Sequence, residues 1–162
     1  MTSPLAHPGA LGNHRKVRGR IYSVGYEGLE VQSLVETLRS AKVTLLVDVR
    51  LNAVSRKVGW SKKSLQAALE AAGIEYHHEP AFGNPPENRD SFRRGDGEDG
   101  RRRMREILTN GSGPALMQLV ADARDRRVAV LCVERGAQRC HRQVITDMAQ
   151  EIDPTIEVLP VL

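Results

Sequence analysis

The chain has 162 residues, the size of one globular domain, and its 40% hydrophobic and 27% charged residues exclude a wholly disordered chain. No apolar run approaches the roughly 20 residues of a membrane-spanning helix, and the N-terminus lacks the apolar stretch of a secretory signal, so we expect a cytosolic protein. The net charge of +4 lies in residues 1–20, which hold four basic and no acidic residues and predict a disordered basic tail.

Residues 21–78 alternate between strand and helix patterns. Mostly apolar runs predict strands at residues 21–24, 43–49 and 74–77. Between them, residues 31–38 and 61–73 carry apolar side chains at the spacing of one helix face. The order predicted for this half of the chain is therefore β-α-β-α-β.

Residues 79–111 interrupt this pattern, because they are rich in proline, glycine and arginine, and we interpret them as an insertion with a helix near residues 101–108. A helix that starts at Pro114, a strand at residues 128–133, a helix around residues 144–148 and a last strand at residues 156–159 follow. Such alternation predicts one α/β domain over residues 21–162. It should have three layers, with a mostly parallel sheet of about five strands and helices on both faces.

Polar residues follow four of the predicted strands, where an open parallel sheet binds its ligands. The carboxyl ends of these strands meet at one edge of a parallel sheet, so we expect the polar residues to form one site. The residues concerned are Gly25, Tyr26, Glu27, Asp48, Arg50, His77, His78, Cys132 and Glu134.

Asp48 interrupts an otherwise apolar strand, where an unpaired charge would be costly. Arg50 lies two residues on and can share its face of the strand. Two interpretations stay open: a buried ion pair that braces the edge of the sheet, and an acid that takes part in chemistry.

Residues 132–142 run from a strand end to a helix start and contain both cysteines of the chain. A helix N-terminus carries partial positive charge, so Cys140, next to His141 and Arg142, is expected to favour the thiolate. Arg139 and Arg142 can hold an anion. For Cys132 we favour a structural role as a small buried side chain.

Two familiar templates fit this segment poorly. The cysteine phosphatase loop needs an arginine six positions after its cysteine, but Gln138 stands there relative to Cys132. A metal site of Cys132, Cys140, His141 and one of His77 and His78 is an alternative, although its spacing is not that of standard structural zinc sites.

The chain resembles the prokaryotic proteins known as domain of unknown function 488. The resemblance covers residues 21 to about 150 and is most specific in Cys132-Val133-Glu134 followed by Cys140-His141-Arg142. Its other segments are Ile21 to Gly28, Val47 to Arg50, Ser55 to Lys57, Gly73 to His77 and Gly83 to Pro85. The resemblance implies an α/β fold with a polar site built from these motifs, and it implies no particular reaction.

We therefore predict an enzyme or enzyme-like domain that binds a phosphate-bearing ligand, either a nucleotide or a nucleic acid. The predicted catalytic residues are Cys140 as nucleophile or redox-active thiol, His141 as its activator, and Asp48 and Glu134 as proton-handling groups. The predicted ligand-binding residues are Gly25, Tyr26, Glu27, Arg50, Ser55, Arg56, His77 and Arg142. No cofactor and no oligomeric state follow from the sequence.

Three alternatives remain. The first is a non-catalytic nucleic-acid-binding module that uses the basic tail and the arginine cluster of residues 101–103. The second is the metal site described above. In the third, the motifs are structural, with Asp48 paired to Arg50 and Glu134 paired to Arg142.

Overall fold

The computed structural model describes residues 17–94 and 97–161, which form a single α/β domain. Five strands, six α-helices and two short 3₁₀ turns make up this part of the chain. In chain order they are β1 (Gly19–Gly25), α1 (Val31–Ser40), β2 (Leu45–Asp48), α2 (Lys62–Ala71), β3 (Glu75–His78), a 3₁₀ turn (Pro80–Phe82), α3 (Pro86–Arg93), α4 (Glu98–Gly111), α5 (Gly113–Asp125), β4 (Arg127–Cys132), a 3₁₀ turn (Ala137–Arg139), α6 (Arg142–Ile152) and β5 (Ile156–Val161).

The five strands form one sheet in the order β3-β2-β4-β1-β5, and every neighbouring pair is parallel. This confirms the parallel α/β architecture that the alternation of strand and helix patterns predicted. Strand β4 lies at the centre, between β2 and β1, so the ends of these three strands are adjacent. The site motifs follow these strands and therefore meet at the carboxyl-terminal end of the sheet.

Successive residues of the central strands face opposite layers, as the pleat of a strand requires. Leu46, Ala129 and Leu131 pack in the core that α1 and α2 cover. Leu45, Val128 and Val130 pack in the core that α4, α5 and α6 cover. Both faces of the sheet are thus buried, which explains why the strand sequences are continuously apolar.

The longest described helix, α4, has 14 residues, and none in the described ranges is long and apolar enough to cross a bilayer.

Two boundaries differ from the sequence-based expectation. Strand β1 begins at Gly19, so two residues expected in the tail belong to the sheet, and residues 1–16 of that tail lie outside the described part. The segment 79–111 holds two helices instead of one, because α3 precedes α4. Helix α3 escaped prediction because its buried residues are only Asn88 and Phe92, which give no apolar periodicity.

Candidate functional site

The pleat separates the predicted site residues into two groups. Asp48 is paired with Leu131 in the sheet, and both side chains lie on the face that α1 and α2 cover. Cys132 is the next residue of β4, and its side chain packs in the opposite core, beneath α4 and α6. Asp48 and Cys132 are therefore neighbours along the sheet edge but point away from each other.

On the α1–α2 side, a group that we call the Asp48 brace consists of Asp48, Arg50 and Tyr76. The Asp48 carboxylate is completely buried and accepts two hydrogen bonds from the Arg50 guanidinium, at 2.8 and 2.6 Å. It also accepts one from the Tyr76 hydroxyl at 2.6 Å. The Arg50 guanidinium donates a further bond to the main-chain oxygen of Trp60 at 2.8 Å. Burial, together with the hydrogen bond to Asp48, raises the pKa of Tyr76.

On the other side, a group that we call the thiol–imidazole cluster consists of Cys132, Cys140 and His141. Its three ligand-type atoms, two Sγ and one ring nitrogen, all lie within 4.8 Å of one another. Nδ1 of His141 lies 3.8 Å from Sγ of Cys132 and 3.6 Å from Sγ of Cys140. The other ring nitrogen, Nε2, lies 2.9 Å from the main-chain oxygen of Val49. The imidazole is therefore held between β2 and the two sulfurs.

The two thiols of this cluster differ in acidity. A hydrogen bond from Cys140 and the neighbouring His141 hold the pKa of Cys132 well below its usual value, although burial opposes them. Burial and the charge of Cys132 raise the pKa of Cys140. The more acidic thiol is therefore Cys132, and not Cys140 as the sequence suggested. Cys132 accepts a hydrogen bond from the Cys140 thiol, and this bond favours the thiolate at Cys132.

His141 and Glu134 respond to the same charge. Burial lowers the pKa of His141, but the negative charge of Cys132, hydrogen bonds to Cys132 and to the Val49 backbone, and the charge of Glu134 together raise that pKa overall. Burial and the charge of Cys132 also raise the pKa of Glu134, whose Oε2 lies 3.3 Å from Sγ of Cys132. The cluster thus concentrates groups that exchange protons with one another.

Arg142 fixes the backbone around the cluster. Its side chain is 1% exposed, and Nε donates to Oγ of Ser23 at 2.6 Å while Nη1 donates to the main-chain oxygen of Glu134 at 3.0 Å. Its backbone N–H lies 3.4 Å from Sγ of Cys140. Within the described ranges no carboxylate lies within ion-pair distance of Arg142, so the expected Glu134–Arg142 ion pair is wrong: the bond goes to the Glu134 backbone.

Gly25 allows the loop after β4 to lie against β1. A β-carbon at Gly25 would stand 1.9 Å from the main-chain oxygen of Glu134, closer than any real contact. The ladder between these segments continues past the strands, since Tyr26 N–H donates to the Cys132 oxygen at 3.1 Å and Glu27 N–H to the Val133 oxygen at 2.9 Å. Gly25 therefore allows the backbone of Glu134 to lie directly against β1.

Two adjoining cavities, of about 450 and 300 Å³, open above the thiol–imidazole cluster, and we call them together the arginine cleft. Both are lined by Asn84, Arg89, Arg93, Glu134 and His141. The larger also reaches Glu27, Phe92, Arg135, Gly136, Arg139 and Cys140, and the smaller Arg50, Leu51, Asn52, Val54, Cys132 and Val133. The cluster thus forms part of the floor of a cleft with a basic rim.

Four exposed arginines lie together at the rim of the cleft. Within residues 17–94 and 97–161, Arg89, Arg93, Arg135 and Arg139 have no carboxylate within ion-pair distance. Away from the cleft, several arginines are neutralised by neighbouring acids, in the pairs Arg20–Glu157, Arg102–Asp99, Arg103–Asp99, Arg105–Glu151, Arg124–Asp153 and Arg126–Glu75. Exposed arginines without an acidic partner in the described ranges also occur away from the cleft, as at Arg39 and Arg56. Uncompensated positive charge therefore collects at the rim of the cleft.

A family model described as Domain of unknown function DUF488 matches residues 30–149, about three quarters of the chain. The chain belongs to the DUF488 family. This confirms the resemblance drawn from the sequence motifs. Comparison with curated proteins and with solved structures found no match.

The DUF488 domain gathers some of the predicted site residues in the arginine cleft and leaves others outside it. Lining the cleft are Glu27, Arg50, Glu134, Cys140 and His141. Outside its lining lie Gly25, Tyr26, Asp48, Ser55, Arg56, His77 and Arg142. A single pocket containing Asp48, Arg50, Glu134, Cys140 and Arg142 is therefore not formed, because the pleat turns Asp48 to the other face and Arg142 is buried behind the loop.

The two remaining histidines of the DUF488 site motifs also lie apart from the cluster. His77 is exposed, and its Nε2 lies 3.2 Å from Oε2 of Glu79. Nε2 of His78 lies 2.7 Å from the main-chain oxygen of Arg50. The fourth metal ligand expected from one of them is therefore wrong, because β3 lies at the sheet edge beyond β2.

Sequence reasoning missed Arg89, Arg93 and Arg135 as cleft residues, whereas Asn84 belongs to one of the motifs that carried the resemblance. Arg89 and Arg93 are four residues apart on α3, the spacing that puts two side chains on one helix face. The sequence contains this spacing, but it indicates that Arg89 and Arg93 are neighbours only if residues 86–93 are known to form a helix.

Proposed function

We propose that this domain is an enzyme or enzyme-like domain that binds a phosphate-bearing ligand in the arginine cleft, above the thiol–imidazole cluster. The observation that carries the proposal is the clustering of charge: four arginines without an acidic partner in the described ranges line one cleft, together with thiol, imidazole and carboxyl groups. Exposed guanidinium groups without a partner suit the bidentate recognition of phosphate oxygens.

The arrangement of the rim supports a multiply charged anion. Arg89 and Arg93 approach from one turn of α3, and Arg135 and Arg139 approach from the loop between β4 and α6. Charges on two sides of a cleft attract a ligand more strongly than the same charges spread over a flat surface. A cavity of about 450 Å³ is also within the size range of small-molecule sites.

The floor of the cleft supports chemistry on the bound ligand. Cys140 and His141 line the larger cavity, and Cys132 and Glu134 line the smaller one. Thiol, imidazole and carboxyl groups in mutual contact can transfer protons or attack an electrophile. A ligand held by the rim arginines would present its reactive atom to these groups.

The arginine cluster of residues 101–103 offers less to a nucleic acid than the cleft does. Arg102 and Arg103 both form ion pairs with Asp99, and Nη1 of Arg101 donates to the main-chain oxygen of Gln138 at 3.2 Å. Neutralised arginines release few counterions on binding. The cleft, rather than this cluster, is therefore the surface we assign to the phosphate-bearing ligand.

Binding of three probes to the full-length chain tests the proposal: inorganic tripolyphosphate, a nucleoside triphosphate and a short single-stranded oligonucleotide. We expect at least one probe to bind and R93Q to weaken it about tenfold or more, since a hydrogen bond to a charged group is worth about 1.5–3 kcal/mol. Comparison of the three affinities distinguishes a nucleotide site from a nucleic-acid site.

R105Q is the matched control, because Arg105 is an exposed arginine that pairs with Glu151 at 2.6 Å. We expect this variant to bind within about twofold of the wild type, since surface pairs away from a site contribute little. The proposal fails if the wild type binds none of the three probes, or if R105Q and R93Q weaken binding equally.

A further inference from the structure

We propose that Cys132, Cys140 and His141 form a binding site for a thiophilic divalent metal ion of the Zn²⁺ class. These residues come from the end of β4 and from the turn before α6, and each is at least nine-tenths buried. Three donor atoms that the fold gathers within 4.8 Å, two of them sulfur, are the ligand set that zinc and similar ions prefer over Mg²⁺ or Ca²⁺.

The two sulfur–nitrogen distances in the cluster fit a tetrahedral ion. With Zn–S near 2.3 Å and Zn–N near 2.0–2.1 Å, a sulfur and a nitrogen bound to one tetrahedral zinc lie about 3.6 Å apart. The observed separations between Nδ1 of His141 and the two sulfurs are 3.6 and 3.8 Å.

The surroundings of His141 orient it as a ligand. Nε2 lies 2.9 Å from the main-chain oxygen of Val49, so this nitrogen carries the proton and donates it. The lone pair of the neutral imidazole is then on Nδ1, which faces both sulfurs. A histidine ligand whose other nitrogen donates to a main-chain oxygen is the usual outer arrangement of protein metal sites.

Sγ of Cys140 is supported in the same way. The backbone N–H of Arg142 lies 3.4 Å from this sulfur, and Nη1 of Arg142 lies 3.7 Å from it. Donors of this kind stabilise the deprotonated thiolate that a metal requires. Sγ of Cys140 therefore has the hydrogen-bond donors that commonly support a metal-bound thiolate.

Three protein ligands leave a fourth tetrahedral position, and this position is near the arginine cleft. Cys140 and His141 line one cavity of the cleft and Cys132 lines the other, so water or a ligand atom can reach the ion. The carboxylate of Glu134 lies 3.3 Å from Sγ of Cys132, and Glu134 lines both cavities. Metal binding does not depend on the cleft arginines, so it can be present or absent independently of anion binding.

Cobalt substitution tests the inference on the full-length chain with both thiols reduced and any bound metal removed by a chelator. We expect a single Co²⁺ to bind per chain, with thiolate-to-cobalt charge-transfer absorption and the visible bands of tetrahedral Co²⁺, and Zn²⁺ to displace it. C140S and H141Q should each weaken binding at least tenfold. The wild-type spectrum gives this answer whether or not a variant folds.

H77Q is the matched control, because His77 is exposed and outside the cluster. We expect it to bind Co²⁺ as the wild type does. The inference is overturned if the reduced wild-type chain binds neither Co²⁺ nor Zn²⁺, if bound Co²⁺ lacks the charge-transfer absorption, or if H77Q weakens binding as much as C140S does. If C140S still binds the phosphate probe in that case, the proposed anion site is retained and only the metal site is rejected.

Discussion

The main-chain oxygen of Val49 lies 2.9 Å from Nε2 of His141, so the residue that follows β2 determines which imidazole nitrogen faces the two thiols. The preceding residue, Asp48, sends its carboxylate to the opposite face of the sheet and holds Arg50 there. The end of β2 therefore supports two polar groups at once. Asp48 and Val49 are consecutive residues, so a change that moves the Asp48 backbone should also move the Val49 oxygen that holds His141.

Tyr76→Phe tests the energetic role of the Asp48 brace. The hydroxyl of Tyr76 donates to the buried Asp48 carboxylate at 2.6 Å, and its loss leaves that acceptor short of a partner. We expect the free energy of unfolding in urea to fall by about 1–3 kcal/mol. Tyr22→Phe is the control, because Tyr22 is equally buried, and it should change stability by less than about 1 kcal/mol. Equal effects of the two changes would contradict the role assigned to the hydrogen bond.

Gly25→Ala tests the contact between β1 and the loop after β4. The added methyl group would stand 1.9 Å from the main-chain oxygen of Glu134, so backbone must move. We expect unfolding to become easier by about 1–3 kcal/mol, in the range of overpacked cores. Gly111→Ala is the control: it has open space and lies at the end of α4, so it should be neutral or stabilising by up to about 1 kcal/mol. A G25A protein as stable as G111A would show that the contact is not tight.

Ser23→Ala tests the support of Arg142. Oγ of Ser23 accepts the Nε–H of this buried arginine at 2.6 Å, and the change leaves a charged donor without that partner. We expect a loss of about 1–3 kcal/mol in the free energy of unfolding. Ser64→Ala, at an exposed serine of α2, should stay within about 0.5 kcal/mol of the wild type. If thermal or urea unfolding cannot tell the two variants apart, Ser23 does not hold Arg142.

Asp153 gives a test by pH. Hydrogen bonds from the side chain of Thr155, from Arg124 and from the Thr155 backbone lower the pKa of Asp153 to about 2. A carboxyl group with a depressed pKa stabilises the fold above its unfolded pKa of about 3.9, and that contribution is lost as the pH falls through the folded value. Between about pH 4 and pH 2, the wild type should therefore lose more stability than D153N. Parallel stability curves for the two proteins in this window would rule the contribution out.

The sequence predicted the sheet well because strand and helix patterns differ in period. The strands around residues 21–24, 43–49 and 128–133 are mostly apolar on both faces, which is typical of a parallel sheet covered by helices, and all three are found in the sheet centre. Gly73 marks the end of α2 with a φ of 77°, the left-handed conformation in which glycine commonly ends a helix. Local chemistry therefore determines these elements.

The site was predicted only in part, because its geometry depends on which face each residue uses. Asp48 and Cys132 both end central strands, yet one residue of offset in the register puts them on opposite faces. Arg89 and Arg93 were missed because α3 buries little apolar surface and gives no periodic signal. Their place over the cleft follows from tertiary packing, which a single sequence does not display.

The link between the cleft and the thiol–imidazole cluster is tested most directly by protection of the thiols. Metal-free, reduced protein is treated with iodoacetamide, a neutral reagent, with and without a saturating phosphate probe whose binding is measured in the same sample, and labelling at Cys140 and Cys132 is followed by peptide mapping. We predict that the bound probe slows labelling of Cys140, which lines the larger cavity, at least several-fold. Unchanged labelling of both cysteines with the probe fully bound would contradict the account, because the ligand would then lie elsewhere on the protein.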